Sequence, residues 1–449
     1  MKYSLCNNWE FTEIWSDAFC TGAPVPCQAV RLPHTCRELP LHYADPADYE
    51  MVCGYRRTLT LPDAPRLFLR FDGAAHQAAV YLNGQLVGKH LGGYTAFALE
   101  ITSFVHRDAE NLLAVRLDTR EDPALPPFGF VIDYLTYGGL YREVWLETAA
   151  ATCVTDLFVH TPTLTEAAVS VTTDAPEKAA VLRVSLCAPD GAALVGQQLP
   201  AAAKAECTLT LPDAQPWGTD HPNLYTCRAE LLDAAGQVLD CRETTFGFRT
   251  AEFKADGFYL NGEKTFLRGL NRHQSYPYIG YAAPESLQRN DARILKNELH
   301  CNAVRTSHYP QSQHFLDECD RLGLLVFTEL PGWQHIGDAA WKDRACEMLR
   351  EMILQNRSHP SIILWGVRIN ESVDDDEFYK RTNKIAHELD PSRATSGVRY
   401  LEKSHLLEDV YAYNDFSHNG MNAGAKRKKD VSPDMGKALL ISECNGHMY

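Results

Sequence analysis

Two glutamates follow short apolar runs and are the residues best placed for chemistry. Glu371 follows the run 361–369 with only Asn370 between them, and Glu443 comes directly after the run 438–442. Neither run has a helical period, which predicts strands buried on both faces, as in a parallel sheet. One such glutamate could simply be solvated, but two at the carboxyl ends of barrel strands match the acid/base and nucleophile of a glycosidase.

The chain beyond residue 252 alternates short apolar strands with helical segments. Strands are expected near residues 266, 303, 326, 364, 396, 411 and 440, with helices such as 284–298, 311–322 and 341–356 between them. This order predicts a parallel sheet, and its repetition predicts a TIM barrel. Seven strands leave open edges, so we expect residues 252–449 to form a (β/α)₈ catalytic domain that lacks its last βα unit. The chain is then expected to be a fragment of a longer product.

The first 251 residues predict two all-β domains. Asn83-Gly84 separates two apolar runs and is a preferred two-residue hairpin turn. Short strands spaced by turn signals predict a jelly-roll sugar-binding domain over residues 1–150 and an immunoglobulin-like β-sandwich over 151–251. The fold class is therefore multidomain β and α/β: jelly roll, sandwich and incomplete TIM barrel.

Composition excludes several classes of partner. The 449 residues carry a formal net charge of −15, which disfavours nucleic acid and anionic membrane surfaces. No stretch is apolar for the roughly 18 residues that a membrane span needs. The fourteen cysteines are scattered, without zinc-ligand spacing. With no export signal at the N-terminus, they predict reduced thiols and a cytoplasmic protein.

Several motifs together make the whole chain resemble glycoside hydrolase family 2, which holds β-galactosidases and β-glucuronidases. They are Tyr-Gly-Gly-Leu-Tyr-Arg at 137–142, Phe-Gly-Phe-Arg at 246–249, Arg-Gly-Leu-Asn-Arg-His at 268–273, Asn-Ala-Val-Arg-Thr-Ser-His-Tyr-Pro at 302–310, Asn-Arg-Ser-His-Pro at 356–360 and Asn-Glu-Ser at 370–372. Any one of them is weak evidence, and the set is strong.

The resemblance implies roles for four residues of the barrel. It makes Glu371 the general acid/base and Glu443 the nucleophile of a retaining double displacement, with the two carboxyl groups about 5–5.5 Å apart. Asn370 would bind the sugar hydroxyl next to the anomeric carbon. Arg305 would lie beside the nucleophile and hold Glu443 ionised, although a purely structural ion pair is the alternative.

Other side chains are implied as substrate-binding residues. His273 and His308 resemble histidines that line the sugar pocket of β-galactosidases. Tyr413, with Tyr411 as the competing choice, is expected to donate to the nucleophile, on the premise that alternation lets only one of them face inward. Asp133 takes the place of an aspartate that reaches the site from the first domain, although a turn residue is the alternative.

The sequence departs from the family pattern at two places. The spacing from Trp365 to Asn370 is one residue longer than usual, which predicts a bulge near Arg368. The magnesium site of the best-known galactosidases uses a glutamate where this chain has Trp333. His335 would then be left with the acid/base glutamate alone, too few oxygen ligands for Mg²⁺, so we expect no metal and no cofactor.

The leading hypothesis is a retaining exo-β-glycosidase that acts on terminal β-D-galactosides. Its first alternative is a β-glucuronidase or another specificity of the family, disfavoured because Asp133 would repel the sugar carboxylate. The second alternative is a non-catalytic carbohydrate-binding fragment. The expected partner is a β-galactoside, and the oligomeric state, including a homo-oligomer, is left open.

Overall fold

A computed structural model describes residues 1–42, 44–417 and 425–444. These residues divide into two units. The first comprises Met1–Leu125, Asp133–Cys153 and Gln274–Gln288, and the second comprises Pro126–Ile132, Val154–His273 and Arg289–Tyr449. The predicted sandwich and barrel thus share the second unit, and the short segment Pro126–Ile132 belongs with them.

The first unit is built from two antiparallel sheets that enclose an apolar core. The strands are β1 (Lys2–Ser4), β2 (Trp9–Thr12), β3 (Gln28–Val30), β4 (Val52–Leu59), β5 (Arg66–Phe71), β6 (Gln77–Leu82), β7 (Gln85–Leu91), β8 (Phe97–Glu100), β9 (Asn111–Asp118) and β10 (Val144–Ala149), with a short helix α1 (Asp17–Cys20). Their orders are β1-β10-β5-β8 and β3-β2-β4-β9-β6-β7. This is the predicted jelly roll.

The hairpin predicted from Asn83-Gly84 is present. The last residue of β6, Leu82, pairs with the first residue of β7, Gln85. Asn83 has φ 53° and Gly84 has φ 79°, the left-handed values that a two-residue hairpin turn requires.

A second pair of antiparallel sheets forms the sandwich. Its strands are β11 (Cys153–His160), β12 (Glu166–Asp174), β13 (Val181–Cys187), β14 (Ala193–Pro200), β15 (Lys204–Thr210), β16 (Tyr225–Leu232) and β17 (Val238–Phe246). The sheets have the orders β11-β12-β15 and β14-β13-β16-β17 and share one core of aliphatic and aromatic residues. The prediction of an immunoglobulin-like sandwich is confirmed.

The barrel is preceded by a small antiparallel sheet of β18 (Ala251–Lys254), β19 (Gly257–Leu260) and β20 (Glu263–Thr265). Phe258 and Leu260 of β19 pack with Leu325, Val410 and Ala438, each at the start of a barrel strand. The small sheet therefore covers the amino-terminal end of the barrel.

Seven parallel strands in sequential order form the barrel sheet. They are β21 (Gly269–Asn271), β22 (Ala303–Thr306), β23 (Leu325–Glu329), β24 (Ile362–Arg368), β25 (Ala394–Arg399), β26 (Val410–Asp415) and β27 (Ala438–Cys444). The predicted count is confirmed, although the first strand begins at Gly269 instead of near residue 266. Every residue of β23, β24 and β26 is buried, as expected for strands covered on both faces.

Helices cover the outer face of this sheet. They are α2 (Glu285–Arg293), continued by a π-helical turn (Ile294–Glu298), then α3 (Gln313–Leu322), α4 (Ala339–Asn356), α5 (Asp376–Leu389) and α6 (Lys428–Val431). Side chains cap three of the amino termini: Ser312 accepts from the N–H of His314, Asp338 from that of Trp341, and Asp375 from that of Phe378. Such caps fix where a helix begins.

The predicted irregularity in β24 is present. The register between β24 and β25 shifts between Gly366 and Arg368. Gly366 is required there because a Cβ atom would lie 2.6 Å from Cγ of Glu329. The bulge changes the alternation of the strand just before Asn370 and Glu371.

Two structural findings concern the expectations about membrane spans and about the cysteines. No helix among the described residues is long and apolar enough to cross a membrane. All fourteen cysteines are free thiols, and ten of them are buried.

Candidate active site

Glu371 lies just past β24, at the carboxyl end of the barrel. Its φ of 54° is unusual for a residue with a side chain, and the backbone around it is held on both sides. The N–H of Glu371 donates to the carbonyl of Val398 at 3.0 Å, and the carbonyl of Asn370 accepts from the N–H of Gln334 at 2.7 Å. Neighbouring segments thus fix the direction in which this carboxyl points.

Two neutral amides hold the carboxylate of Glu371. Asn414 Nδ2 donates to Oε1 at 2.9 Å, and Gln334 Nε2 donates to Oε2 at 3.2 Å. Asn414 in turn accepts at Oδ1 from the hydroxyl of Ser442, the residue before Glu443. A chain of hydrogen bonds therefore joins the strand ends that carry the two predicted catalytic glutamates.

Glu443 lies near the end of β27 and faces a buried cation. Its Oε1 accepts from Arg305 Nη1 at 2.5 Å, and 22% of its side chain is exposed. The carboxylate is therefore partly accessible to solvent. The predicted contact between Arg305 and Glu443 is present.

Arg305 connects four strand ends. Besides Glu443, it donates from Nε and Nη2 to the two oxygens of Glu329 at 2.6 and 2.9 Å, and from Nη2 to Oδ1 of Asn370 at 2.8 Å. Its Nη2 also lies 3.1 Å from Nδ1 of His308. Burial would lower the pKa of Arg305, but the charges of Glu329 and Glu443 outweigh burial and raise it. The guanidinium is a permanent charge at the centre of the site.

Glu329 is a site residue that our reading of the sequence missed. It is 2% exposed at the end of β23, and burial alone would raise its pKa, yet Arg305 and His308 bring the pKa below its ordinary value. The signal that identifies Glu371 and Glu443, a carboxylate at or just past the end of a mostly apolar strand, is also present in Leu325–Glu329. Asn414 and Gln334 had no comparable local signal.

The two predicted histidines lie side by side. The rings of His273 and His308 are 5.3 Å apart between centroids, and His273 Nδ1 is 3.0 Å from the hydroxyl of Tyr309. Burial, and after it electrostatic interaction with His308 and Arg305, lowers the pKa of His273 to about 3. His273 is therefore neutral at physiological pH, as a residue that hydrogen-bonds sugar hydroxyls would be.

The two strand-end glutamates occupy chemically different surroundings. Glu443 contacts a permanent cation, whereas the side-chain donors that reach Glu371 from the described residues are neutral amides. A double displacement at an anomeric carbon needs this difference, because one carboxylate attacks while the other carries a proton.

Three family models match the chain in succession. The first, for the sugar-binding domain of glycosyl hydrolases family 2, matches residues 30–150. The second, described as glycosyl hydrolases family 2, matches residues 152–249. The third, for the TIM barrel domain of the same family, matches residues 251–448. The chain belongs to glycosyl hydrolases family 2.

Relatives within family 2 carry two different names. The β-galactosidase of Thermoanaerobacterium thermosulfurigenes is 44% identical over 99% of this chain and 64% of its own length, and that of Thermoanaerobacter pseudethanolicus is 43% identical over 94% and 58%. The solved β-glucuronidase of Parabacteroides merdae aligns with TM-score 0.82 at 30% identity, over 93% of this chain and 57% of that one. The chain thus spans 57–64% of the length of these proteins.

The role that the family-2 resemblance implied for Tyr413 does not fit the structure. Tyr411 and Tyr413 are two residues apart in β26, so they share a face, and both pack against Val431 of α6. The premise that alternation would separate them was wrong. Asn414, on the opposite face, is the β26 residue that reaches the predicted catalytic groups, through Glu371.

Asp133 belongs to the first unit and is exposed there. Its predicted contact with sugar hydroxyls stays a prediction.

The magnesium that the family-2 resemblance implies does not fit the residues present. The His335 ring packs edge-on against Trp341, with the two centroids 5.6 Å apart, and Gly129 approaches the ring so closely that a Cβ would lie 2.2 Å from it. Trp333 adds no oxygen ligand, and both oxygens of Glu371 already accept hydrogen bonds. These residues supply too few hard oxygen ligands for Mg²⁺.

Another group of residues has the spacing of a metal site but is already satisfied. Among the described residues, Asp317, Asp320 and His359 form this group. His359 Nδ1 bonds to Asp320 at 2.6 Å and Nε2 to Gln313 at 3.2 Å, while Asp320 accepts from the N–H of Ser361. The group is a structural hydrogen-bond network at the start of β24.

Proposed function

We propose that this chain carries the catalytic site of a retaining exo-β-glycosidase that hydrolyses terminal β-D-galactosides. The observation that carries the proposal is the position of Arg305, which contacts Glu443 directly and fixes Asn370, the residue before Glu371. One buried cation thereby sets the geometry of both strand ends. The family relationship supports the same reaction class.

In the first step, the protonated carboxyl of Glu371 gives its proton to the glycosidic oxygen. The carboxylate of Glu443 attacks the anomeric carbon as the bond to the leaving group breaks, so a glycosyl ester on Glu443 forms and the aglycone leaves as an alcohol. The amides of Asn414 and Gln334 hold the Glu371 carboxyl in place throughout.

In the second step, Glu371 accepts a proton from a water molecule that attacks the same carbon. The ester bond to Glu443 breaks, the sugar leaves with its original β configuration, and both carboxyl groups return to their starting protonation. Two inversions give net retention.

Asn370 is prepared to bind the hydroxyl next to the reacting carbon. Its Oδ1 accepts from Arg305, which fixes the amide orientation. Its Nδ2 is buried and has no hydrogen-bond partner among the described residues. A buried donor without a partner gains from a substrate hydroxyl, and a contact that strengthens in the transition state raises the rate.

Galactose is the favoured sugar for two reasons. The relatives with 43% and 44% identity are named β-galactosidases. A glucuronide would also need a cation for its carboxylate, whereas Arg305 is already shared by Glu329, Glu443 and Asn370. The β-glucuronidase of Parabacteroides merdae, at 30% identity, makes glucuronide hydrolysis the second candidate.

Matched nitrophenyl substrates separate the two candidates. We expect kcat/KM for the β-galactoside to exceed that for the β-glucuronide by at least about 10²-fold, because an unpaired carboxylate in a buried site is strongly disfavoured. The opposite order would assign the site to glucuronides.

Substitution of the glutamates tests the mechanism. We expect Glu443→Gln to lower kcat by about 10⁴-fold or more, since no attacking carboxylate remains. Glu371→Ala should lose most activity on poor leaving groups and be rescued by azide. Glu347→Gln on the exposed face of α4 is the matched control. Galactose binding with no turnover in the unaltered protein would favour the binding-fragment alternative.

A further inference from the structure

A cavity of about 300 Å³ lies at the end of the barrel opposite the glutamates. Its walls come from the sandwich, from the segment that follows β17, and from the loops that precede β24 and β25. The cavity lies before the start of β24 and Glu371 lies past its end, so the strand alone, Ile362–Arg368, separates them by about 20 Å at ~3.3 Å per residue. All of these walls belong to the second unit.

The cavity contains a buried arginine without an acidic partner. Arg249 is 6% exposed, and it donates from Nε to the carbonyl of Pro360 at 2.6 Å and from Nη2 to that of Ile362 at 2.7 Å. No carboxylate of the described residues forms an ion pair with it. Burial, together with the charge of Arg393, lowers its pKa to about 9, and the charges of Asp390 and Asp320 only partly oppose this. A buried charge of this kind gains from a counter-ion.

A second arginine in the wall is already compensated. Arg393 donates to Asp390 Oδ2 at 2.5 Å and otherwise to backbone carbonyls. Glu252, at the rim, pairs with Lys254 at 3.0 Å and is more than half exposed, so it does not neutralise Arg249. The cavity therefore has an excess of positive charge that comes from Arg249.

The cavity also contains hydrogen-bond donors that the contacts of Arg249 to Pro360 and Ile362 do not use. Arg249 uses two of its five N–H groups in the bonds to Pro360 and Ile362. Ser358 also lines the cavity, and its hydroxyl has no partner among the described residues. A guanidinium with free N–H groups beside a hydroxyl is suited to a tetrahedral oxyanion, which accepts several hydrogen bonds at once.

We propose that this cavity binds a phosphate group, as inorganic phosphate or as a small phosphate monoester, through Arg249 and Ser358. The ligand supplies the missing counter-charge where the sandwich meets the barrel. A ligand that binds only the folded protein stabilises it by RT ln(1 + L/Kd), where L is the ligand concentration, so stability rises with the logarithm of ligand concentration above Kd.

The test is thermal unfolding with inorganic phosphate at constant ionic strength, sodium chloride making up the balance. We expect Tm to rise by about 2 °C as phosphate increases to about 20 mM, with a logarithmic dependence on concentration above Kd. Glycerol 3-phosphate, compared with glycerol, identifies the source: tighter binding of the ester indicates a phosphorylated metabolite, and tighter binding of the inorganic ion indicates free phosphate. An equal rise with chloride alone, or no rise with either phosphate, overturns the proposal.

Two variants assign the effect to the cavity. Arg249→Gln removes the charge and should abolish the response. Ser358→Asp places a carboxylate in the wall while leaving the hydrogen bonds of Arg249 intact, so it should abolish the response even where Arg249→Gln fails to fold. Ser103→Asp, at an exposed turn of the first unit, is the matched control and should respond normally.

The glutamate variant separates this site from the catalytic centre. Glu443→Gln should keep the full phosphate response, because the cavity lies at the other end of the barrel. Loss of the response in Glu443→Gln, or its retention in Ser358→Asp, would place phosphate elsewhere and overturn the assignment. The measurement needs no catalytic activity, so it is independent of the proposed function.

Discussion

Two buried arginines, at opposite ends of the same barrel, are stabilised in different ways. Arg305 is 5% exposed and donates to Glu329 and Glu443, whereas Arg249 is 6% exposed and donates to two backbone carbonyls. Burial acts to lower the pKa of both, but the carboxylates reverse its effect on Arg305 alone; the pKa of Arg249 falls to about 9.

The difference shows what each arginine does for the protein. Arg305 gathers charged and polar side chains from four strands and gives the barrel mouth a fixed electrostatic centre, which is what catalysis requires. Arg249 binds the carbonyls of the segment that leads into β24 and joins the sandwich to the barrel. Arg305, at the proposed catalytic site, has carboxylate partners, whereas Arg249, at the junction of sandwich and barrel, has carbonyl partners.

Of the changes that separate the two arginines, Arg305→Lys should have the largest effect, and it should act on turnover. Lysine keeps the charge but cannot donate to Glu329, Glu443 and Asn370 at the same time. We expect kcat for nitrophenyl β-galactoside to fall about 10²- to 10³-fold. Arg350→Lys, on the exposed face of α4, is the control. A change of less than about twofold would show that the charge alone suffices.

Arg249→Lys should act on stability. Lysine donates from a single nitrogen, so it loses at least one of the two hydrogen bonds to the buried carbonyls of Pro360 and Ile362. We expect the free energy of unfolding in urea to drop by about 1–3 kcal/mol. If it does not drop, the bonds to Pro360 and Ile362 are not what joins the sandwich to the barrel.

The third prediction concerns acid. The pKa of His273 is about 3 in the folded protein, and its ordinary value is 6.5, so the unfolded chain binds more protons between these values. Stability from this group is therefore complete above pH 6.5 and is lost as pH falls. Between pH 6.5 and 5.5, we expect the free energy of unfolding to fall by about 1 kcal/mol less in His273→Asn than in the unaltered protein. An unchanged pH slope would mean that His273 is not held neutral.

The smallest expected effect is that of metal removal. Because Trp333 adds no oxygen ligand beside His335, and both oxygens of Glu371 already accept hydrogen bonds, we expect EDTA to change activity by less than about twofold. A large loss that Mg²⁺ restores would show that oxygens outside the described residues complete a metal site.

The sequence predicted the elements better than the contacts between them. Buried strands followed by glutamates located Glu371 and Glu443, because burial on both faces leaves a local apolar signature. The sequence alone does not reveal pairs such as Arg305 and Glu443, which are 138 residues apart; that pairing was implied by the family resemblance. Asn414 was missed because amides carry no such signature, and Tyr413 was misplaced because a two-residue spacing was taken to change face.

The most direct test of the account is covalent trapping of the nucleophile. A 2-deoxy-2-fluoro-β-galactosyl fluoride slows both steps, and a good leaving group lets the glycosyl ester accumulate. Trypsin cleaves after Lys437 and after Arg368, so the two glutamates fall on different peptides, one beginning at Ala438 and the other at Ile369. We predict that mass spectrometry finds the sugar on the peptide that begins at Ala438, at Glu443. A label at Glu371, or no label together with α-galactose as the first product, would contradict the account.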